Sequence, residues 1–153
     1  MKIYRNAVIM IILAMVLVVS GCNSGVVSQN QNLEKTVSST AKVEKIEVYH
    51  FHGNHQCASC IAVGNLAEET VNTYFADEVK SGKIVFGHIN GELPENQELV
   101  MKYGATGSSL WIGVYDSQGF HPEQNINVWY KINNKEDYMA YLKGVIEQKL
   151  AGE

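Results

Sequence analysis

Two hydrophobic rhythms run along this chain, and the switches between them mark its elements. Glu44 to His52 (EKIEVYHFH) is rich in β-branched and aromatic residues, which predicts a first strand. Gly53-Asn54 ends it. Val63, Ala67, Val71, Phe75 and Val79 then recur every four residues, joined by Leu66 and Tyr74. That stripe predicts one long helix, opening at Cys57-Ala58-Ser59-Cys60, running to about Lys80 and stopped by Ser81-Gly82. Lys83 to Asn90 (KIVFGHIN) predicts a second strand, whose continuous apolar start suits burial on both faces. Pro94 suits the first position of a second helix that ends near Tyr103, with Gly104 and Gly107 as punctuation. Ser109 to Asp116 (SLWIGVYD) reads as a third strand, and Ser117-Gln118-Gly119 as a turn. Ile126, Val128, Tyr130 and Ile132 alternate with Asn127, Trp129 and Lys131, which predicts a fourth strand. Asn134, with Asp137 three residues on, is placed to cap a last helix whose stripe is Tyr138, Leu142, Ile146 and Leu150.

The order is βαβαββα. The first two crossovers contain helices, so the strands they join are expected to be parallel. The third and fourth strands share a turn-rich connection and are expected to be antiparallel. The fold class expected is α/β: a mixed four-stranded sheet flanked by three helices. It occupies residues 43–153, and the chain carries no internal repeat.

Two segments precede that domain. Lys2 and Arg5 lead into Ala7–Val19, an unbroken apolar run of 13 residues. A bilayer-spanning helix needs roughly 20, so residues 1–21 read as a signal peptide. The run closes on Val19-Ser20-Gly21-Cys22, which resembles a bacterial lipobox. The resemblance implies cleavage before Cys22, a diacylglycerol on its thiol, and an extracytoplasmic domain anchored to a bacterial membrane. Residues 22–42 are rich in Ser, Asn, Gln and Thr and read as a flexible tether, spanning roughly 25 Å on average.

Composition narrows the function. With 46% hydrophobic and 18% charged residues, the chain is neither disordered nor membrane-embedded as a whole. The net charge is −4, and loss of Lys2 and Arg5 with the signal peptide leaves the remainder more acidic still. That argues against a nucleic-acid partner, which wants a basic face. It also makes the lipid the main membrane attachment, since anionic headgroups repel an acidic domain. The chain has three cysteines, and a lipid on Cys22 leaves Cys57 and Cys60 as a pair.

At the N-terminal end of a helix, unpaired N–H groups and the macrodipole favour a thiolate on Cys57. Cys60 lies one turn later on the same face, a spacing that suits a disulfide. Cys57 is therefore the expected nucleophile and Cys60 the resolving thiol. A purely stabilising bridge is the alternative, but so short a loop contributes only about 2 kcal/mol. A second alternative is a copper or zinc delivery site. His50, His52, His55, Cys57 and Cys60 are five potential ligands, with His55, Cys57 and Cys60 the natural set. His50 and His52 share one strand face and read as hydrogen-bonded structural residues. His55 either tunes the Cys57 thiol through its charge or is a solvated loop residue. His88 and His121 carry no argument, and Trp111 and Trp129 read as core or sheet-surface residues.

This order, with a CxxC between the first strand and its helix, resembles the minimal thioredoxin fold. Lys83-Ile84-Val85 leading to Asn90, and Lys102-Tyr103-Gly104-Ala105-Thr106-Gly107 before the third strand, are similar to that family's corresponding segments. Phe51-His52-Gly53-Asn54-His55-Gln56-Cys57 resembles bacterial thioredoxin-like proteins labelled as nitrophenyl compound nitroreductase subunits. No flavin-binding feature accompanies it, and no cofactor is expected. The resemblance implies thiol–disulfide exchange with a protein disulfide or dithiol, and a membrane or extracytoplasmic redox partner. A third implied role is a non-catalytic subunit of a reductase complex. Three departures bear on partner choice. Ser109, after Gly107-Ser108, stands where the family has a cis-proline facing the disulfide, so Ser108 and Ser109 are the expected substrate-facing wall. Gln56 replaces the aromatic residue before the first cysteine, and Ala58-Ser59 replaces Gly-Pro.

Overall fold

The structure is a computed structural model that describes residues 42–153. The expected signal peptide, Cys22 and nearly all of the expected tether lie outside the described residues.

Four strands, β1 (Lys45–His52), β2 (Ile84–Asn90), β3 (Ser109–Asp116) and β4 (Gly119–Gln124), form one sheet in the order β2-β1-β3-β4. β1 runs parallel to β2 and antiparallel to β3, and β3 is antiparallel to β4. The helices are α1 (Ala58–Tyr74), α2 (Ala76–Ser81), α3 (Gln97–Tyr103) and α4 (Lys135–Leu150). Two 3-10 turns, Pro94–Asn96 and Ile126–Tyr130, complete the described part. This mixed α/β sheet, with the CxxC where β1 hands over to α1, is the thioredoxin arrangement that the sequence implied.

β1 is central and hides both faces. Ile46 and Val48 join Val63, Ala67, Val71, Leu142 and Ile146 in a core between the sheet and α1 and α4. Phe51, on the opposite face, packs with Tyr103, Ala105 and Trp111 beneath α3. On that same side Glu47, 6% exposed, accepts hydrogen bonds from Tyr103 and Tyr115 (2.8 Å each) and Lys45 (2.6 Å). Asn134 caps α4 as expected, accepting from the Asp137 N–H at 3.0 Å. Tyr138, Leu142 and Ile146 are buried as its stripe requires.

The structure corrects three expectations. The long helix breaks at Phe75, which leaves helical geometry (φ −131°, ψ 30°) and is itself buried. A four-residue repeat drifts about 40° per step around a helix of 3.6 residues per turn. Val79 would thus end far from the face Val63 starts on, and the break at Phe75 lets both reach the core. The second correction concerns β3, which is antiparallel to β1 although a helix lies in the connection before it. At about 1.5 Å per residue, seven-residue α3 rises only ~10 Å, too short to carry the chain back along a strand of ~23 Å. The connection begins and ends at the same end of the sheet, with His52 opposite Asn90 and Phe51 opposite Ser109.

The third correction is the position of the fourth strand. It is Gly119–Gln124, directly after the turn, while the alternating segment forms the 3-10 turn Ile126–Tyr130. Within that turn Val128 is buried, whereas Ile126 and Tyr130 are exposed. β4 is an edge strand, mostly exposed, so it shows no apolar alternation, and its Pro122 is tolerated there because an edge leaves one N–H row unpaired.

Candidate redox site

β1 and β2 end and β3 begins at one end of the sheet, with Phe51 opposite Ser109, and β1 leads from that end into the loop of His55 and the start of α1. Cys57 is the N-cap of α1, in extended conformation, and its Sγ accepts from the Cys60 N–H at 3.1 Å. A sulfur thus takes the place of the usual oxygen cap and sits where the helix's unpaired N–H groups favour negative charge. Cys57 is exposed and Cys60 half-buried. The two form a disulfide with a Cα–Cα distance of 5.0 Å, inside the ordinary range.

The other candidates divide. His55 is exposed on the loop before Cys57. Ser109 is only 3% exposed, and its hydroxyl is already engaged. It donates to the Gly107 carbonyl at 2.8 Å and accepts from the Trp111 indole N–H at 3.0 Å. Its polar group therefore sets the β3 entry and orients Trp111. Ser108, half-buried beside it, has a buried Oγ with no hydrogen-bond partner. Among the described residues there are no cis peptide bonds, and no group of three or more His, Cys, Asp or Glu side chains is placed to hold a metal ion. None of the described helices is long and apolar enough to cross a membrane.

A histidine cluster under the redox helix is the feature that sequence reasoning passed over. His50 is 1% exposed on the α1-facing side of β1. Its Nδ1 lies 3.1 Å from Nδ1 of His88 on β2, and its ring stacks on His52 at 5.5 Å. His88 Nε2 lies 3.3 Å from a Glu68 carboxylate oxygen on α1. The ring fits because position 64 is glycine: a Cβ there would lie 2.7 Å from His50 Cε1 and closer still to Nδ1. Burial first, then the neighbouring His88 and His52 charges, push the His50 pKa down to about 4, against a smaller favourable effect of the Cys60 backbone. His50 is therefore neutral at pH 7 in the disulfide form. A glycine inside an apolar helical stripe, and histidines at matching positions of two adjacent strands, were the available signals.

No family model and no curated protein matches this chain. Solved structures similar to it include the following two. The Trx4 domain of ERdj5 is 17% identical with a TM-score of 0.43, over 71% of this chain and 86% of that one. A thioredoxin from Thermus thermophilus is 15% identical with a TM-score of 0.43, over 67% of this chain and 74% of that one.

Proposed function

We propose that this protein is a thiol–disulfide oxidoreductase that exchanges electrons with protein disulfides through Cys57 and Cys60. The observation that carries the reading is the asymmetry of the pair: an exposed Cys57 capping α1, bonded to a half-buried Cys60 one turn further in. In the reduced state the α1 N-terminus favours the Cys57 thiolate, which is the attacking species in disulfide exchange. Cys57 attacks a partner sulfur and forms a mixed disulfide, releasing the partner's other thiolate. Cys60 then attacks Cys57, which closes the internal bridge and frees the partner as a dithiol. The reverse sequence reduces this protein instead. Equilibration of the full chain against glutathione buffers tests the reading, and a Cys57–Cys60 pair that fails to exchange at any poise would overturn it.

The same proposal places the domain outside the cytoplasm, held to a bacterial membrane by a lipid on Cys22, with a membrane or extracytoplasmic redox partner. Its support is Val19-Ser20-Gly21-Cys22 after a 13-residue apolar run. Cys57 and Cys60 changed together to Ser separate exchange from a non-catalytic role in a nitroreductase-like complex, since the latter would survive the change.

A further inference from the structure

A cleft of about 240 Å³ opens at the redox end of the sheet, on the α3 side. Phe51, Val100 and Ala105 supply its apolar surface, and Glu92 is the one acidic residue that lines it. No lysine or arginine lines the cleft, and among the described residues no cationic side chain pairs with Glu92. The His52 ring is turned to the other face, stacked on His50, and its Nδ1 donates to the Gly53 carbonyl at 2.9 Å. Gly53 makes room for the acid: a Cβ there would lie 2.5 Å from Glu92 Oε1. Gly53 is not among the positive-φ glycines, so glycine serves here for space rather than for backbone conformation. The wall that carries the carboxylate is held in place before anything binds. The Glu92 N–H donates to Asn90 Oδ1 at 3.1 Å, the Gly91 N–H to the His52 carbonyl at 2.8 Å, and Gln97 Nε2 to the Gly91 carbonyl at 2.7 Å. Asn90 Nδ2 also donates to Asn54 Oδ1 at 2.8 Å, which ties this wall to the segment that runs into Cys57.

We propose that this cleft is a specificity pocket that takes a lysine or arginine side chain from the partner segment carrying the reacting cysteine. The inference rests on the exchange reading above and adds to it a substrate class: proteins with a basic residue near the disulfide that is exchanged. The lining suits such a side chain. A long basic residue lays its methylene stem on apolar surface and keeps its charged head at a polar rim, here the Glu92 carboxylate. A preformed wall lowers the cost of ordering that contact. The cleft is also within reach of the chemistry. Gly53 precedes Cys57 by four residues, which span at most about 14 Å. A basic residue up to about four positions from the partner's cysteine in an extended segment can therefore enter while that cysteine meets Cys57. The opposite wall includes Gly107, two residues before Ser109, and Ser109 lies opposite Phe51 in the sheet. The acidic net charge of the chain attracts any cation, but such a field does not choose one position of a peptide or require an apolar stem.

The test uses the full chain with Cys22→Ser, so that Cys57 and Cys60 are its only thiols. Stopped-flow mixing of the reduced chain with short peptides, each bearing one cysteine as its thionitrobenzoate disulfide, reads the exchange rate. Lysine, norleucine, 2,3-diaminopropionate or glutamate is placed in turn at each of the four positions on either side of the cysteine. At one of these positions lysine should react about fivefold faster than norleucine, and the advantage should shrink at high salt. Diaminopropionate, which has the charge without the stem, should lose most of the advantage, and glutamate should be slower than norleucine. Glu92→Gln should bring the lysine-to-norleucine ratio to about one, whereas Glu95→Gln, at an exposed acid on the same loop that does not line the cleft, should preserve it. Equal rates for lysine and norleucine at every position would overturn the pocket. So would an equal loss of preference in Glu95→Gln and Glu92→Gln, or a full advantage for diaminopropionate, since both are marks of the general acidic field. A second readout needs no exchange: 15N NMR of the disulfide form with the same peptides carrying serine in place of cysteine. The lysine peptide should shift the Gly53, Gly91 and Gly107 amides more than the norleucine peptide, and Glu92→Gln should remove the difference. If no peptide reacts while these shifts appear, the exchange reading fails and the pocket stands. If the peptides react and the shifts are alike for lysine and norleucine, the pocket fails and the exchange reading stands.

Discussion

Gly64→Ala reverses its effect on stability according to what occupies position 50. In an ordinary helix interior the change stabilises by about 1 kcal/mol, because alanine loses less backbone entropy. Here the new Cβ would lie 2.7 Å from His50 Cε1 and 2.9 Å from Cγ, well inside contact distance. The ring cannot retreat, since it is buried between α1 and the sheet and tied to His88. Overpacking of this kind costs typically 1–3 kcal/mol, so the net effect is a loss of roughly 1 kcal/mol. With His50→Ala the obstruction is gone, and Gly64→Ala should stabilise by about 1 kcal/mol. The coupling between the two sites is therefore roughly 2 kcal/mol, well above the additivity error of independent sites. Urea unfolding of the four proteins of the cycle, in the disulfide form and at one pH, measures it. Gly64→Ala that stabilises both backgrounds equally would refute the placement of His50 against α1.

Alkylation rate against pH should show a Cys57 pKa below the ~8.5 reference. Cys60→Ser should accumulate mixed disulfides, whereas Cys57→Ser should not, and faster modification of Cys60 would reverse the assignment. Glu47→Gln should cost roughly 1.5 kcal/mol in thermal or urea unfolding, because it weakens the charge-assisted hydrogen bonds from Tyr103 and Tyr115, while Lys45 and Lys102 are left partly exposed to solvent. Burial by itself raises the Glu47 pKa, but hydrogen bonds from Lys45, Tyr115 and Tyr103 and the Lys102 charge outweigh it and hold it below the usual carboxylate value. A depressed folded-state pKa contributes stability that is present above about 4.5 and fades as pH falls through the folded value, so the wild type should lose more stability than Glu47→Gln on acidification. Cys22→Ser should release the protein from membranes or leave it unprocessed, and normally processed, membrane-bound protein from that variant would count against the anchor.

The elements that were legible in sequence are those whose signal is local or repeated. The Cys57–Cys60 spacing, the Asn134 cap and the α4 stripe each depend on neighbours within a turn or two, and each is found in place. Strand β4 was not legible because edge exposure removes the alternation that a buried face imposes. The segment from Ile126 alternates in composition, but only Val128 is fully buried, with Trp129 and Ile132 packed partly against the core, since the chain there tightens to start the path into α4. The break at Phe75 is a tertiary decision: core contact outweighs helix continuity. The direction of β3 depended on α3 being short, which the pattern alone left open. The His50–His88–Glu68 chain was the least legible part of the site, since it needs the parallel register of β1 and β2 before the three residues can meet.

The central position of β1 also bears on how the chain folds. The β3–β4 hairpin can close around its own tight turn within about 1–10 μs. β1 has no such neighbour. His50 meets His88 38 positions later, and Glu47 meets Tyr115 68 positions later. Such long loop closures set the slow step of folding. The disulfide, with a sequence separation of 3, shortens neither of them. Opening and closing the bridge should therefore leave the folding rate nearly unchanged.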